Sequence, residues 1–347
     1  MTGRYNRRAM VEQFALFEAP AAPGRPGADP APAAVPADVV ALGRALPALV
    51  HLGTSSWAFP GWAGIVYARP VPESVLSRRG LAAYARHPVL RAAGIDRTFY
   101  APLDAEAFAG YAEQVPAGFR FVVKAPAAVT DAVIRGERGR ASGANPRFLD
   151  AGLALETFVR PVLEGLGPKA GPLVFQFSPL GRAWTADPSS FAARLGRFLG
   201  EIRDGLRGRD ALLAVEVRDA ELVGAPLARA LEDAGASYCF GVHPRMPDVT
   251  AQAAALGAPA RGPLVARWNL HSGFAYAEAK AQYAPFDRLV DEDPDTRAAL
   301  ARLAARAIAR GAPAFVIANN KAEGSAPLTL IALARAVASA AGEGRRA

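Results

Sequence analysis

Residues 172–242 read PLVFQFSPLGRAWTADPSSFAARLGRFLGEIRDGLRGRDALLAVEVRDAELVGAPLARALEDAGASYCFGV. Three short apolar runs, Pro172–Phe177, Leu212–Val217 and Ser237–Val242, alternate here with two longer stretches, Pro188–Arg203 and Glu221–Ala234. The short runs predict strands, and the helical spacing of apolar residues in the longer ones predicts helices. Asp187-Pro188 strengthens the first helix, because an N-cap residue precedes a proline at the first helical position. Strand and helix in strict alternation imply a parallel sheet and an α/β fold.

The same rhythm extends in both directions. Apolar or β-branched runs at Leu49–Thr54, Gly94–Tyr100, Phe119–Lys124, Leu264–Leu270 and Ala314–Ala318 raise the expected strands to eight. Helical spacing covers Leu76–Arg91, Asp104–Gln114, Pro146–Leu166, Pro247–Ala255, Pro294–Arg310 and Ala326–Ala340, with Asn145-Pro146 and Asp293-Pro294 as further start signals. Eight βα units match a closed (β/α)8 TIM-type barrel better than an open doubly wound sheet. No G-x-G-x-x-G follows any strand, which counts against a dinucleotide fold.

The chain has 347 residues, enough for one large α/β domain, and a formal net charge of +8. Residues 1–38 carry four arginines and four acids, so the excess charge belongs to the remainder. A basic body attracts phosphates by its long-range field. From Ala19 to Asp38, fourteen of twenty residues are Ala or Pro, which predicts an extended linker. The expected organisation is a disordered tail over 1–38, a barrel over 39–341 and a disordered C-terminus over 342–347. Cys239 is the sole cysteine, and no apolar run approaches the roughly 18 residues needed to span a bilayer. A cytoplasmic protein with no membrane partner is expected.

Within the tail, Gln13-Phe14-Ala15-Leu16-Phe17 is similar to the Q-L-x-L-F peptides that bacterial repair proteins insert into the sliding clamp. Leu16 and Phe17 would fill an apolar pocket while Gln13 sets the register. The alternative is a short apolar segment that docks on the barrel itself.

Chemistry in such barrels gathers where strands run into the following helices. The polar residues expected there are Thr54 and Ser55 with Trp57 and Trp62; Asp96 and Tyr100; Lys124; Gln176; Glu216 and Arg218; His243; Arg267, Trp268, Asn269 and His271; and Asn319, Asn320 and Lys321. Lys124 and Glu216 each end an apolar run, and a charge beside a barrel interior is costly unless paired. Glu216 and Arg218 share a strand face by the two-residue period and can orient each other.

The segments HLGTSSWAFPGW, RTFYAPLDAEAFAGYAEQVPAGFRFVVKAP, GPLVFQFSP, VEVRDAEL and IANNKAEGSAP follow one another in this order. Together they resemble the YecE-like family, domain of unknown function 72, over essentially residues 49–340. The resemblance implies a TIM-type barrel but no settled activity. It places the family's G-T-S-x-W on Gly53, Thr54, Ser55 and Trp57, its S-T-F-Y on Thr98, Phe99 and Tyr100, and its V-K-A on Lys124. Its F-Q falls on Gln176, its E-x-R on Glu216 and Arg218, and its N-N on Asn319 and Asn320. The chain departs from the pattern at Gly94, Asp96 and Arg97, after Arg218, and at Trp268–His271, as a divergent subgroup would.

A metal site would have to draw on Asp96, Glu216, His243 and His271 from four different strands. No H-E-x-x-H or cysteine pair supports it, so no metal is assigned and the cofactor is left unknown. A metal-free site is better supplied. Lys124, Arg218, Arg267 and Lys321 offer cationic contacts, and Gln176, Asn269, Asn319 and Asn320 neutral donors. Glu216 is the candidate general acid or base, and Lys124 the candidate electrophile or Schiff-base nucleophile. Trp57, Trp62, Tyr100 and Trp268 either stack on a base or sugar or simply cap the core. Tyr276, Lys280 and Tyr283 share one helix face, as a lid or as a packed helix. The basic run from Arg135 to Arg147 contacts phosphates or is merely solvated. The leading expectation is an enzyme, a hydrolase or lyase, acting on an anionic phosphate-bearing substrate that can be nucleic acid. The alternatives are a small-molecule hydrolase or lyase and a non-catalytic nucleic-acid adaptor.

Overall fold

The structure, a computed structural model, describes residues 29–135, 141–257, 262–270 and 276–343. The peptide 13–17, most of the basic loop (136–140) and His271 lie outside the described residues, as do the side chains of Arg135, Tyr276 and Lys280. Among the described residues there are ten strands: β1 Val50–Thr54, β2 Leu90–Ile95, β3 Arg120–Lys124, β4 Val133–Arg135, β5 Ala141–Ala144, β6 Ala170–Gln176, β7 Leu213–Glu216, β8 Ser237–Val242, β9 Leu264–Trp268 and β10 Ala314–Ala318. Eight of them close a parallel barrel in the order β1-β10-β9-β8-β7-β6-β3-β2. The expected (β/α)8 fold is what the chain adopts. β4 and β5 pair antiparallel as a separate two-stranded sheet between β3 and β6, in the stretch read from sequence as the start of a basic run.

The helices used below are α1 Ala37–Ala45, α2 Ala105–Glu113, α3 Pro188–Gly205, α4 Ala225–Asp233, α5 Val249–Ala255, α6 Tyr276–Tyr283, α7 Pro294–Ala309 and α8 Ala326–Glu343. Aspartates start four of them: Asp104, Asp187, Asp248 and Asp293 accept from the backbone N–H three residues on, at 2.8–3.0 Å. Each cap contributes about 1 kcal/mol. No helix among the described residues is long and apolar enough to cross a membrane.

Three elements differ from expectation. The second strand lies at Leu90–Ile95, four residues before the predicted start, and the expected helix 76–91 is broken into Glu73–Arg79 and Leu81–Tyr84. Strand LRAAGI is Ala- and Gly-rich, whereas the following Thr98-Phe99-Tyr100 has the β-branched and aromatic types that strands favour. Packing decides otherwise. Gly53 and Thr54 of β1 pair with Ala92 and Ala93, and the Thr98 hydroxyl closes a turn by donating to Ile95 O at 3.1 Å and Lys124 O at 2.6 Å. The helix expected from Pro146 starts instead at Ala151, capped by Asp150 onto Leu153 N at 2.8 Å. Asn145 braces the base of the β4–β5 sheet, donating to Ala128 O at 2.8 Å and Asp131 O at 2.7 Å.

The ordered body also reaches back beyond Val39. Ala33 N donates to Val66 O and Ala68 N to Ala31 O, both at 2.9 Å. Residues 31–38 therefore belong to the body and not to a linker. At the other end α8 runs to Glu343.

The larger core fills the space between barrel and helices, with Trp62, Trp268, Tyr67, Tyr84 and several phenylalanines fully buried. A smaller core fills the barrel itself: Ala92, Val122, Val174, Ala214, Cys239, Val265, Phe315 and Ile317. Two residues further along six of these strands, the same inward direction gives Gly94, Lys124, Gln176, Glu216, Gly241 and Arg267. That layer is the floor of the site.

Candidate functional site

The floor is a chain of buried charges. Arg267 donates through Nη2 to Asp96 Oδ2 at 2.7 Å, and through Nη1 to Glu216 Oε2 at 2.7 Å and Gln176 Oε1 at 3.1 Å. Arg218 closes the chain with Nη2 at 2.5 Å from Glu216 Oε1. Gly241 makes room for this carboxylate, since a Cβ there would lie 3.0 Å from Oε1. Burial pushes the Glu216 carboxyl up, but Arg218 and Arg267 outweigh it and the net shift is downward, so Glu216 stays a carboxylate. The second guanidinium nitrogen of Arg218, Nη1, is buried and has no hydrogen-bond partner among the described residues.

Lys124 is treated differently by its surroundings. Its Nζ sits 3.6 Å from the centre of the Phe99 ring, and no carboxylate ion-pairs with it among the described residues. Burial and the nearby Arg267 pull its pKa down to about 7, against weaker raising by Asp96 and Glu216. His243 is likewise held neutral, its pKa lowered to about 4 by burial and by Arg218, while its Nδ1 accepts from Arg245 N at 3.2 Å. Burial pushes the Cys239 thiol well up, which leaves it protonated and inert.

Above this floor, at the C-terminal ends of the strands, opens a pocket of about 170 Å³. Lys124, Arg218, Arg245 and Arg267 line it against a single lining carboxylate, Asp96, which is already committed to Arg267. Even with Glu216 counted beneath, cations outnumber carboxylates, so the pocket is electropositive. A larger cavity of about 420 Å³ opens at the opposite end, near the start of β6, β7 and β8. Its cation, Arg203, donates to the carbonyls of Ala211, Ala234 and Gly235 and has a structural task. Chemistry belongs to the smaller pocket.

Of the residues expected at the site, Asp96, Tyr100, Lys124, Gln176, Arg218, His243, Arg267, Asn269 and Asn319 line this pocket. Ser55 reaches it only indirectly, accepting from Asn319 Nδ2 at 2.9 Å, and Lys321 donates to Asn319 Oδ1 at 3.2 Å from a buried position. Thr54, Trp57 and Asn320 do not line it. Thr54 and Tyr84 are locked together, Trp57 packs edge-on against Tyr111, and Asn320 Oδ1 accepts from Trp62 Nε1 at 3.1 Å and Ala326 N at 2.9 Å. Trp62 and Trp268 are fully buried, and the stacking platform reduces to Tyr100. The Asn319-Asn320 pair thus divides into one pocket residue and one structural residue. Glu216, expected as acid or base, is fully buried beneath the pocket with both oxygens engaged.

Sequence reading missed Ser178 and Arg245, because they belong to loops whose path the strand pattern does not define. Asp96, expected at a strand end and weighed as a metal ligand, pairs with Arg267 at the pocket. Among the described residues no three His, Cys, Asp or Glu side chains converge as a metal site would require. Tyr283 of α6 is buried against Leu270 and Ala279 and donates to Asp291 Oδ2 at 2.8 Å, as a packed helix would have it.

Solved structures with the same fold include a DUF72 family protein from Enterococcus faecalis V583, 16% identical with TM-score 0.55, covering 83% of this chain and 95% of that one. Another is a DUF72 family protein from Thermotoga maritima MSB8, 18% identical with TM-score 0.53, covering 82% of this chain and 98% of that one. Among curated proteins none matches. The profile described as "Protein of unknown function DUF72" matches residues 51–346, the span over which the motifs follow one another. The chain belongs to the DUF72 family.

Proposed function

We propose that this barrel is an enzyme acting on a small anionic molecule that carries a phosphate or carboxylate group, with Lys124 as the reacting side chain. The observation that carries this reading is Arg218, which lines a pocket already rich in cations and whose buried Nη1 has no hydrogen-bond partner among the described residues. A buried donor left unpaired costs roughly 1–3 kcal/mol, and a ligand oxyanion would relieve that cost. Asn269, Asn319 and neutral His243 supply uncharged polar contacts around it. Glu216 acts beneath the ligand as a positioning residue that holds both guanidiniums. A volume of about 170 Å³ suits a few heavy atoms and not a polymer, which favours a small molecule over a nucleic-acid strand.

The test is the thermal stability of the full chain titrated with inorganic phosphate at constant ionic strength. A ligand that binds only the folded state raises Tm with concentration. The expected result is a saturable rise that Arg218→Gln abolishes. A rise that Arg218→Gln leaves unchanged, or none at all, overturns the reading.

A further inference from the structure

Lys124 has the surroundings of a nucleophile and not those of a salt-bridge partner. It projects from the C-terminal end of β3 into the pocket, its Nζ lies on the face of Phe99, and Asp96 and Glu216 are both committed to guanidiniums. An amine so placed, with Arg267 and Arg218 nearby, is available with its lone pair at neutral pH. Lys124 and Arg218 line one small pocket, and Arg218 Nη1 is a buried donor with no hydrogen-bond partner among the described residues.

We infer that Lys124 forms an imine with the carbonyl carbon of a short aldehyde or ketone bearing a carboxylate or phosphate, whose oxygens rest on Arg218 Nη1. This inference rests on the anion-pocket reading above. The Nζ lone pair makes the new C–N bond while the carbonyl π pair moves onto oxygen. A proton passes from nitrogen to that oxygen, a second arrives from solvent, and the C–O bond breaks with its electron pair to release water. The remaining nitrogen lone pair completes the C=N bond. One amine, one carbonyl and one proton thus become a cationic iminium and one water. The iminium withdraws electrons from the adjacent carbon, so that a C–C bond there breaks, its pair stored as an enamine while the departing carbon leaves as a carbonyl compound or carbon dioxide. The enamine carbon then takes a proton from solvent, and water adds to the iminium and returns Lys124 as the free amine, which is lyase chemistry with water as the only co-reactant. Ser55 and Lys321, which tie down Asn319, keep one wall of the pocket in place for it.

The experiment is reductive trapping. Full-length protein is incubated with cyanoborohydride and either pyruvate or dihydroxyacetone phosphate, and the product is peptide-mapped by mass spectrometry. The chain has four lysines, Lys124, Lys169, Lys280 and Lys321, so the modified site is read directly. The expected adduct is on Lys124, formed about 10-fold faster than with the uncharged analogues acetone or dihydroxyacetone, and slowed about 10-fold by Arg218→Gln. Pyruvate trapping marks a carboxylate substrate, and dihydroxyacetone phosphate trapping a phosphorylated one. Calorimetric binding of the same probes, without reductant, separates the two levels of the account. Binding without trapping overturns the imine and leaves the anion pocket standing, and neither binding nor trapping overturns both. Trapping spread over all four lysines, or equally fast from acetone, also overturns the imine.

Discussion

Lys124 and Glu216 occupy equivalent inward positions on β3 and β7, and burial acts on both. Glu216 has Arg218 and Arg267 against its two oxygens and remains charged, whereas Lys124 has an aromatic face, and desolvation wins. Its pKa falls from 10.5 to about 7, with Asp96 and Glu216 opposing and Arg267 and Arg218 reinforcing the shift. Between those values the unfolded chain binds a proton that the folded chain does not, so this group makes stability rise with pH across that window. Below about 7 the amine is charged in both states and the whole cost of burying it is present. Lys124→Met is therefore expected to raise the urea midpoint at about pH 6 and to flatten its increase towards about pH 9. Identical pH dependence in the two proteins would contradict the assignment. Glu216→Ala, by contrast, leaves two guanidiniums facing each other without their shared acceptor. It is expected to destabilise by about 3–5 kcal/mol in denaturant titration, where a residue serving chemistry alone would cost far less.

At the level of elements, close approach between strands sets limits that a residue list does not show. A Cβ on Gly53 would lie 2.1 Å from Ala92 O, so β1 and β2 must separate to accept one. Gly53→Ala is expected to cost roughly 1–3 kcal/mol in the same titration. A neutral result would mean that the β1–β2 contact is looser than the structure has it. The same contact explains why the second strand was misplaced from sequence. Ala92, Ala93 and Gly94 have weak intrinsic strand preference, and only their neighbours in the closed barrel make them a strand. Lys124, Gln176, Glu216 and Arg267 were legible because each breaks an apolar run at an inward position. Their pairing was not, since Arg267 and Asp96 meet across 171 residues. Thr54, Trp57 and Asn320 looked like rim residues because strand ends are polar, but closure of the barrel turned them into packing. Arg245 and Ser178 carried no periodic signal at all.

For the molecule as a whole, the boundary between tail and body lies earlier than composition implied. A chain beginning at Asp29 keeps the hydrogen bonds of Ala31 and Ala33 to the segment Val66–Ala68, and one beginning at Val39 loses them. The shorter chain is expected to melt several degrees lower by calorimetry. Equal melting temperatures would show that residues 29–38 add nothing to the fold. The basic excess of the chain takes on local meaning at the mouth of the barrel, where Lys124, Arg218, Arg245 and Arg267 face one pocket. The measurement that bears most directly on this account is a crystal structure of the protein with inorganic phosphate. The account predicts an ion in the mouth pocket, with one oxygen accepting from Arg218 Nη1. Phosphate bound elsewhere on the protein while that pocket holds only water would contradict it.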